Sequence, residues 1–123
     1  MGWWKPPADS LGARGERLAA RYLFFRGYRL LARNLVCGRN EIDLVVRRGN
    51  EIAFVEVKTR LRADASHPED SVGESKQRHL REAARHYLSK HEEPGVNYRF
   101  DVVSVVVGQN GKAEITHFPD AFR

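Results

Sequence analysis

The sequence predicts an α/β domain in which helices flank a mixed central sheet, built in the order αβββαβ. Three observations support this fold class: two segments with apolar residues at helical spacing, three strand-like segments between them, and a nearly continuous apolar segment after the second helix. Three consecutive strands form an antiparallel meander, and the second helix then crosses over to a parallel fourth strand. The 123 residues suit one domain, 10–123, after a loose tail of residues 1–9.

The first helix is predicted over SLGARGERLAARYLFFRG, residues 10–27, with Gly27 as its C-terminal stop. Its apolar stripe comprises Leu11, Leu18, Ala19, Tyr22 and Phe25 or Arg26. Gly12 and Gly15 each weaken the first turns by roughly 1 kcal/mol relative to alanine. They indicate either a close approach of another backbone or a helix that starts late.

Three strands are predicted next: YRLLARNL (28–35), EIDLVVR (41–47) and EIAFVEVKTR (51–60), the last two joined in a hairpin around residues 48–50. If the turn is Gly49-Asn50, Asp43 lies opposite Glu56; if it comprises residues 47–50, Asp43 lies diagonal to Glu56. In both registers Asp43, Glu56 and Lys58 share one face, because strand side chains alternate. The other face is expected to be apolar and to carry Ile42, Leu44, Val46, Ala53, Val55 and Val57.

The C-terminal half completes the predicted order. Residues 61–74 form a long polar loop, and such loops are often functional. A helix follows over residues 75–91, with Ser75 as its N-cap and Leu80, Ala83, Ala84, Tyr87 and Leu88 as its stripe. YRFDVVSVVV (98–107) predicts a strand buried on both faces, and KAEITHF adds an edge hairpin.

The composition favours a polyanionic partner in a reducing compartment. Lys and Arg total 21 against 16 Asp and Glu, a formal charge of +5, which suits nucleic acid, although acidic membrane surfaces also attract such a charge. The chain has no apolar run of the ~20 residues that span a bilayer, so we expect no membrane insertion. One cysteine, Cys37, excludes an internal disulfide and is typical of the cytoplasm. It also excludes a cysteine-based zinc site.

Two carboxylates and a lysine on one strand face predict a metal centre. Asp43 and Glu56 would repel each other unless a cation lay between them, and oxygen ligands suit Mg²⁺ or Mn²⁺. The backbone carbonyl of Val57 is a possible further ligand, and Lys58 is positioned to act on an attacking water or a phosphate. We therefore expect metal-assisted phosphodiester hydrolysis. The alternative is cross-strand charge pairing that serves only solubility.

These residues resemble a known nuclease pattern. D-(x)n-E-x-K on a hairpin within the order αβββαβ is similar to the PD-(D/E)XK nuclease superfamily. The wider set of motifs resembles one small member, the YraN-like family of uncharacterised bacterial proteins. The matching segments are LGARGERLAARYL, GRNEIDLVV, FVEVKTR, SKQRHLREAARHYL and YRFDVVSV, which span roughly residues 11–107. The resemblance implies a restriction-endonuclease-like fold, similar to archaeal Holliday-junction resolvases, and a nucleic-acid substrate. If the chain is an endonuclease, branched or damaged DNA is one substrate that we consider.

The resemblance also implies roles for individual residues. Asp43 matches the superfamily acid, Glu56 and Lys58 match its E-x-K pair, and Glu16 matches an acid of the first helix that is often an additional metal ligand. Asn40 replaces the glycine usual before the E-I-D motif. The residues expected to contact nucleic acid are Arg60, Arg62, Lys76, Gln77 and Arg78. The plainer reading is a solvated helix charge for Glu16 and an ordinary helix N-terminus for Lys76 and Gln77.

Three functions remain open on the sequence. The first is a Mg²⁺- or Mn²⁺-dependent endodeoxyribonuclease. The second is a nuclease-like scaffold that binds nucleic acid or recruits repair proteins without cutting. The third is an interaction protein that dimerises through a sheet edge. By analogy with resolvases, a homodimer is also possible in the first case.

Overall fold

The computed structural model describes residues 2–3, 10–64 and 72–123. The predicted tail therefore lies outside the described residues except for two positions, and so do residues 65–71 of the predicted loop. The elements are β1 (Gly2–Trp3), α1 (Leu11–Phe25), β2 (Arg29–Cys37), β3 (Asn40–Arg48), β4 (Glu51–Leu61), a 3₁₀ turn (Arg62–Asp64), α2 (Glu74–His91), β5 (Asn97–Val107) and β6 (Ala113–Phe122).

The strands form one mixed sheet in the order β1-β2-β3-β4-β5-β6. β2, β3 and β4 are an antiparallel meander, β4 and β5 are parallel along their full lengths, and β6 returns antiparallel to β5. Because α2 connects the parallel pair, this is the predicted αβββαβ core with the predicted edge hairpin, and the fold class is confirmed. Within the described residues, neither helix has the length and apolarity that a bilayer span requires.

One helix packs on each face of the sheet. Ala19 and Leu23 of α1 pack against a cluster that includes Leu44, Val55 and Val103. The buried side of α2 packs on the opposite face, against a cluster of Ala32, Leu35, Ile42, Val45, Ile52, Phe54 and Val102. The sheet is thus buried on both sides, as the apolar β5 predicts.

A glycine sets the position of α1 on the sheet. Ser10 caps the helix by accepting a hydrogen bond from the Ala13 N–H at 3.0 Å. At Gly15, a Cβ atom would lie 1.8 Å from Oγ1 of Thr59 in β4. Only glycine permits this approach, so of the two explanations for Gly15 the close approach is correct, and it is made by the backbone of α1 to the side chain of Thr59. It brings the next residue, Glu16, towards the C-terminal half of β4.

The start of α2 differs from the prediction. The helix begins at Glu74, and its N-cap is Gly73, which makes no side-chain capping bond. Ser75 therefore lies in the first turn, and its prediction as N-cap was wrong. The side chain of Gln77 instead donates to the carbonyl of Val72 at 2.7 Å and ties the helix start to the preceding residue.

The regular alternation of β2 and β3 breaks near Asp43, in addition to the register shift between Leu30 and Ala32. Ile42 lies in the cluster under α2, whereas Leu44 lies in the cluster under α1, although the two positions should share a face. The partner strand shows the cause: Asn34, which the register places opposite Asp43, has a positive φ of 46°. A residue in this conformation breaks the pleat, so the expectation that Ile42 shares a face with Leu44 was wrong.

Candidate active site

The candidate site lies where β3 and β4 separate. Their ladder runs from Arg48–Glu51 to Leu44–Val55, which is the register of the two-residue turn Gly49-Asn50. Beyond that pair β4 continues beside β5 to Leu61. The carboxylate of Asp43 enters the space between the diverging strands, where its Oδ2 accepts a hydrogen bond from the Val57 N–H at 2.8 Å. Asp43 therefore replaces one rung of the sheet with a side-chain contact.

Asp43 is a buried acid without a cationic partner among the described contacts. Its side chain is 6 % exposed. Burial raises the pKa of its carboxyl well above the ordinary value, and repulsion from Glu56, Glu16 and Glu41 raises this pKa further, against the hydrogen bond from Val57. A carboxylate in this position is costly in free energy unless a cation approaches it.

Glu56 is the second acid of the site. Val55 and Val57 belong to the α1 side of the sheet, so Glu56 and Lys58 lie on the α2 side. Its Oε2 is buried and has no hydrogen-bond partner among the described residues. The nearest cation is the Nζ of Lys76 at 3.8 Å, beyond hydrogen-bond distance. Burial raises the pKa of Glu56, and Lys76 and Lys58 oppose that rise without cancelling it.

Two further residues belong to this cluster, and sequence reasoning missed them. Asn34 is buried and donates a hydrogen bond to Oε1 of Glu16 at 2.6 Å, which fixes the helix carboxylate beside β2. Glu41 raises the pKa values of Glu16, Asp43 and Glu56 by repulsion. The signal for Glu41 was its place two residues before Asp43, whereas the role of Asn34 follows from a backbone conformation that the sequence does not reveal.

The predicted nucleic-acid contacts are placed differently from one another. Lys76 faces Glu56, as described above, and Gln77 is engaged at the start of α2. Arg78 is exposed on α2. Arg62 forms an ion pair with Glu114 of β6 at 2.7 Å between exposed side chains, and Arg60 is half-buried on β4. Lys76 is thus the member of this set whose charge reaches the carboxylates.

The donor set suits a hard divalent cation. Asp43 and Glu56 supply carboxylate oxygens, one of which is buried and unsatisfied, and Glu16 lies close enough to affect both. Within residues 2–3, 10–64 and 72–123, no three His, Cys, Asp or Glu side chains form a compact ligand group. Mg²⁺ commonly binds one or two carboxylates and takes its remaining ligands from water and substrate phosphates. The chemistry of these residues therefore fits such an ion, with Glu56 and Asp43 as its first ligands.

Asn40, which stands where the resembled family usually has glycine, makes a side-chain contact with α2. Asn40 does not have a positive φ; the positive φ values nearby belong to Gly38 and Asn34. The Asn40 side chain instead donates to Oε2 of Glu82 on α2 at 3.3 Å. Asparagine at this position therefore joins β3 to α2.

Comparisons with known proteins identify relatives along nearly the whole chain. Residues 15–105 match the profile described as uncharacterised protein family UPF0102. A UPF0102 protein of Chlorobaculum tepidum is 43% identical over 117 residues, covering 91% of each chain. One from Chloroherpeton thalassium is 39% identical over 121 residues, covering 93% of this chain and 94% of the relative. A third, from Geobacter metallireducens, is 42% identical over 113 residues, covering 92% of each chain.

Proposed function

The chain belongs to the uncharacterised protein family UPF0102, which is the YraN-like family that its motifs resemble, and we propose that it is a Mg²⁺- or Mn²⁺-dependent nuclease that cuts DNA. The single observation that carries the proposal is the pair Asp43 and Glu56. Asp43 is buried and its pKa is raised by the charge of Glu56, and the half-buried Glu56 has a buried Oε2 with no hydrogen-bond partner among the described residues. Membership of the PD-(D/E)XK superfamily and a preference for branched or damaged DNA are part of the same proposal.

Each residue has a role in this proposal. A divalent ion would supply charge for a phosphate oxygen and would acidify a bound water. Asp43 is fixed by the Val57 N–H, so its free oxygen keeps one direction towards the ion. Glu56 presents the unsatisfied Oε2 from the adjacent strand. Lys58 and Lys76 lie on the α2 side with Glu56 and offset its charge, which supports a role for their ammonium groups in contacting a phosphodiester.

Glu16 is proposed as a further acid for the ion, through its carboxylate on α1. The close approach at Gly15 sets the height of the helix on the sheet, and Asn34 occupies Oε1 of Glu16. The other oxygen is then the one available for an ion or a bound water. Burial raises the pKa of Glu16, which is consistent with a group that is better ionised when a cation is present.

The test is cleavage by purified protein of duplex, flap and four-way DNA substrates with Mg²⁺ or Mn²⁺. We expect nicking or cutting in at least one metal condition, and loss of at least ~100-fold of that activity in Asp43→Asn and in Glu56→Gln. Glu92→Gln, the same chemical change at an exposed position after α2, is the matched control and should retain activity. Cleavage that survives Asp43→Asn would reject the proposal as written.

If no substrate is cut although the wild type binds DNA, the chain is the non-catalytic binding module that the sequence left open. Calorimetry with Mn²⁺ separates these outcomes further. The proposed enzyme requires Mn²⁺ binding that is lost in Asp43→Asn, whereas a pure binding module does not.

A further inference from the structure

A pocket of about 410 Å³ lies at the turn end of the β3–β4 hairpin, away from the carboxylates. Its lining consists of three arginines and two glycines: Gly27, Arg29, Arg47, Arg48 and Gly49. The arginines come from the start of β2 and the end of β3, and the glycines both have positive φ values, 92° and 62°. Two tight turns therefore bring three arginines to the lining of one opening.

Two of the arginines are held in place by other groups. Arg47 pairs with Glu93 at 2.7 Å and donates from Nε to the carbonyl of Gly49 at 2.9 Å. Arg48 donates to the carbonyl of Arg26 at 3.2 Å, and its guanidinium carbon lies 4.4 Å from the ring centroid of Tyr28. These contacts order both side chains before any ligand binds, which reduces the entropy cost of binding.

The pocket keeps a surplus of positive charge. Arg29 is exposed, and within the described residues neither Arg29 nor Arg48 forms an ion pair with a carboxylate. Glu93 pairs with Arg47 and also interacts with the charge of Arg29, so one carboxylate faces three arginines. Arginine donors ordered in a concave site favour a phosphate, because the guanidinium group matches its oxygens.

We propose that this arginine pocket binds a backbone phosphate of the nucleic acid, as a second contact point apart from the carboxylate site. This inference rests on the proposed function, because it assumes that the ligand of the carboxylate site is a polynucleotide.

The spacing of the two sites favours a polynucleotide over a single small anion. Five residues of β3 separate Asp43 from Arg48, which corresponds to roughly 17 Å at about 3.3 Å per residue. A duplex carries a phosphate charge about every 1.7 Å along its axis, so one molecule can reach both sites. A separate lipid headgroup or free phosphate gains nothing from that spacing.

Exposed aromatic rings adjoin the pocket in sequence. Phe24 and Phe25, at the end of α1, are 67 % and 72 % exposed and precede Gly27. Their rings contact each other edge to face, with centroids 5.5 Å apart. Exposed aromatic side chains beside arginines are the usual platform for unpaired bases, so we expect a single strand or a flap to use this surface better than an intact duplex.

The test measures DNA binding without cleavage, by fluorescence anisotropy in EDTA with labelled duplex, single-stranded and flap DNA between about 50 and 200 mM NaCl. Arg29→Gln should weaken binding about fivefold at the lowest salt and lower the slope of log Kd against log[NaCl] by about one. Arg29→Lys should keep the slope. Arg85→Gln, the same change at an exposed position on α2, is the matched control.

Each result of this binding experiment either supports or overturns the proposed phosphate contact. A lower salt slope in Arg29→Gln but not in Arg85→Gln supports the pocket, even if no DNA is cut and the nuclease proposal fails. Equal effects of the two variants overturn the pocket, even if the protein is an active nuclease. A dependence on Arg29 that appears only with phosphatidylglycerol vesicles, or with inorganic phosphate alone, also overturns it in favour of that ligand. No DNA binding by the wild type overturns it as well.

Discussion

Replacing Asp43 with asparagine is expected to stabilise the metal-free protein. Asp43 is buried, and burial and the carboxylates of Glu56, Glu16 and Glu41 raise its pKa. Asparagine has nearly the same shape, and its side-chain oxygen is able to accept the hydrogen bond that Val57 donates at 2.8 Å. The substitution therefore removes the charge and keeps the contact.

The size of the gain follows from Coulomb repulsion. Two charges about 6 Å apart repel by about 3 kcal/mol at an effective dielectric constant near 20. Lys58 and Lys76 already offset part of the charge of Glu56, and the raised pKa leaves fewer Asp43 carboxyls ionised. A net gain of about 1–2 kcal/mol in the free energy of unfolding remains, which corresponds to a rise in Tm of roughly 4–8 °C.

Thermal and urea unfolding in EDTA measure this gain, and its pH dependence checks the cause. Folded Asp43 binds its proton more tightly than the unfolded chain does, so the wild type loses stability as pH rises from the unfolded-state pKa of about 3.9 through the folded one. The Asp43→Asn variant lacks the contribution of position 43 to this loss, because its amide does not titrate, and keeps the contributions of Glu16 and Glu56, whose pKa values are also raised. The advantage of this variant is thus largest above that interval and narrows as pH falls towards 3.9.

Metal binding should reverse the order of stability. Mn²⁺ at about a hundred times its Kd adds about 2.7 kcal/mol to the wild type, which exceeds the advantage of the variant, and adds nothing to Asp43→Asn, because the variant has lost a charged ligand. Asp64→Asn, the same change at an exposed position, should match the wild type with and without Mn²⁺. A variant that is less stable than the wild type in EDTA at neutral pH, or that gains equally from Mn²⁺, would refute the reasoning.

Three more outcomes follow from packing, charge and burial. Gly15→Ala should lower the free energy of unfolding by about 1–3 kcal/mol, because its Cβ would overlap Thr59. Urea unfolding measures this loss. The control is Gly12→Ala, whose Cβ would meet nothing within 4 Å and whose free energy of unfolding should rise by up to about 1 kcal/mol. Asp101 is fully buried and its carboxylate contacts Arg99 and His117, so Asp101→Asn should cost about 3 kcal/mol at neutral pH. The cost should shrink on acidification, because these partners lower the pKa of Asp101. An unchanged Tm at pH 7 would contradict this prediction. Cys37 is buried, and burial raises the pKa of its thiol. It should therefore react with iodoacetamide roughly tenfold more slowly in the native than in the unfolded protein. Equal reaction rates in the two states would contradict this prediction.

Sequence reasoning reached the fold because its signals are local. Gly49-Asn50 was one of the two turns that the sequence left open, and the structure has its register, with Gly49 in positive φ and Arg48 aligned with Glu51. The apolar stripe of α2 and the continuous apolar β5 gave the crossover and the parallel pair. Each of these features depends on residues close together in the chain, and none requires a distant contact.

The site was harder to predict because it depends on an exception to strand periodicity. Counting residues placed Asp43, Glu56 and Lys58 on one face. Asn34 adopts a positive φ opposite Asp43, and the break that it causes moves Ile42 to the other face. Asparagine tolerates this conformation better than most residues, but nothing in RNLVC requires it. An irregular residue in β2 thus changes which face a residue of β3 occupies, and counting alternate residues along β3 alone does not reveal this change.

Two buried aspartates of this sheet differ in how the surrounding residues satisfy their charge. Asp101 of β5 is fully buried, with Arg99 at 3.0 Å, His117 at 2.7 Å and the Asp120 N–H at 2.9 Å. Burial alone would raise the pKa of Asp101, yet these three partners lower it below the ordinary value. Such a network satisfies the carboxylate within the protein.

Asp43 has the opposite balance. The described residues give it one backbone N–H and surround it with other acids, and its pKa rises. The partners of Asp101 show that this fold is able to satisfy a buried carboxylate with its own residues. A neutral residue at position 43 would cost less free energy than the buried, repelled carboxylate of Asp43. The unfavourable charge is therefore expected to be offset by something that the chain does not contain. The pKa values of the two aspartates are shifted in opposite directions, so acid should destabilise the protein through Asp101 and relieve the repulsion at Asp43. On acidification, the stability advantage of Asp43→Asn and the stability deficit of Asp101→Asn, each relative to the wild type, should therefore both shrink towards zero. Differences in unfolding free energy that change in the same direction with pH would contradict this contrast between the two aspartates.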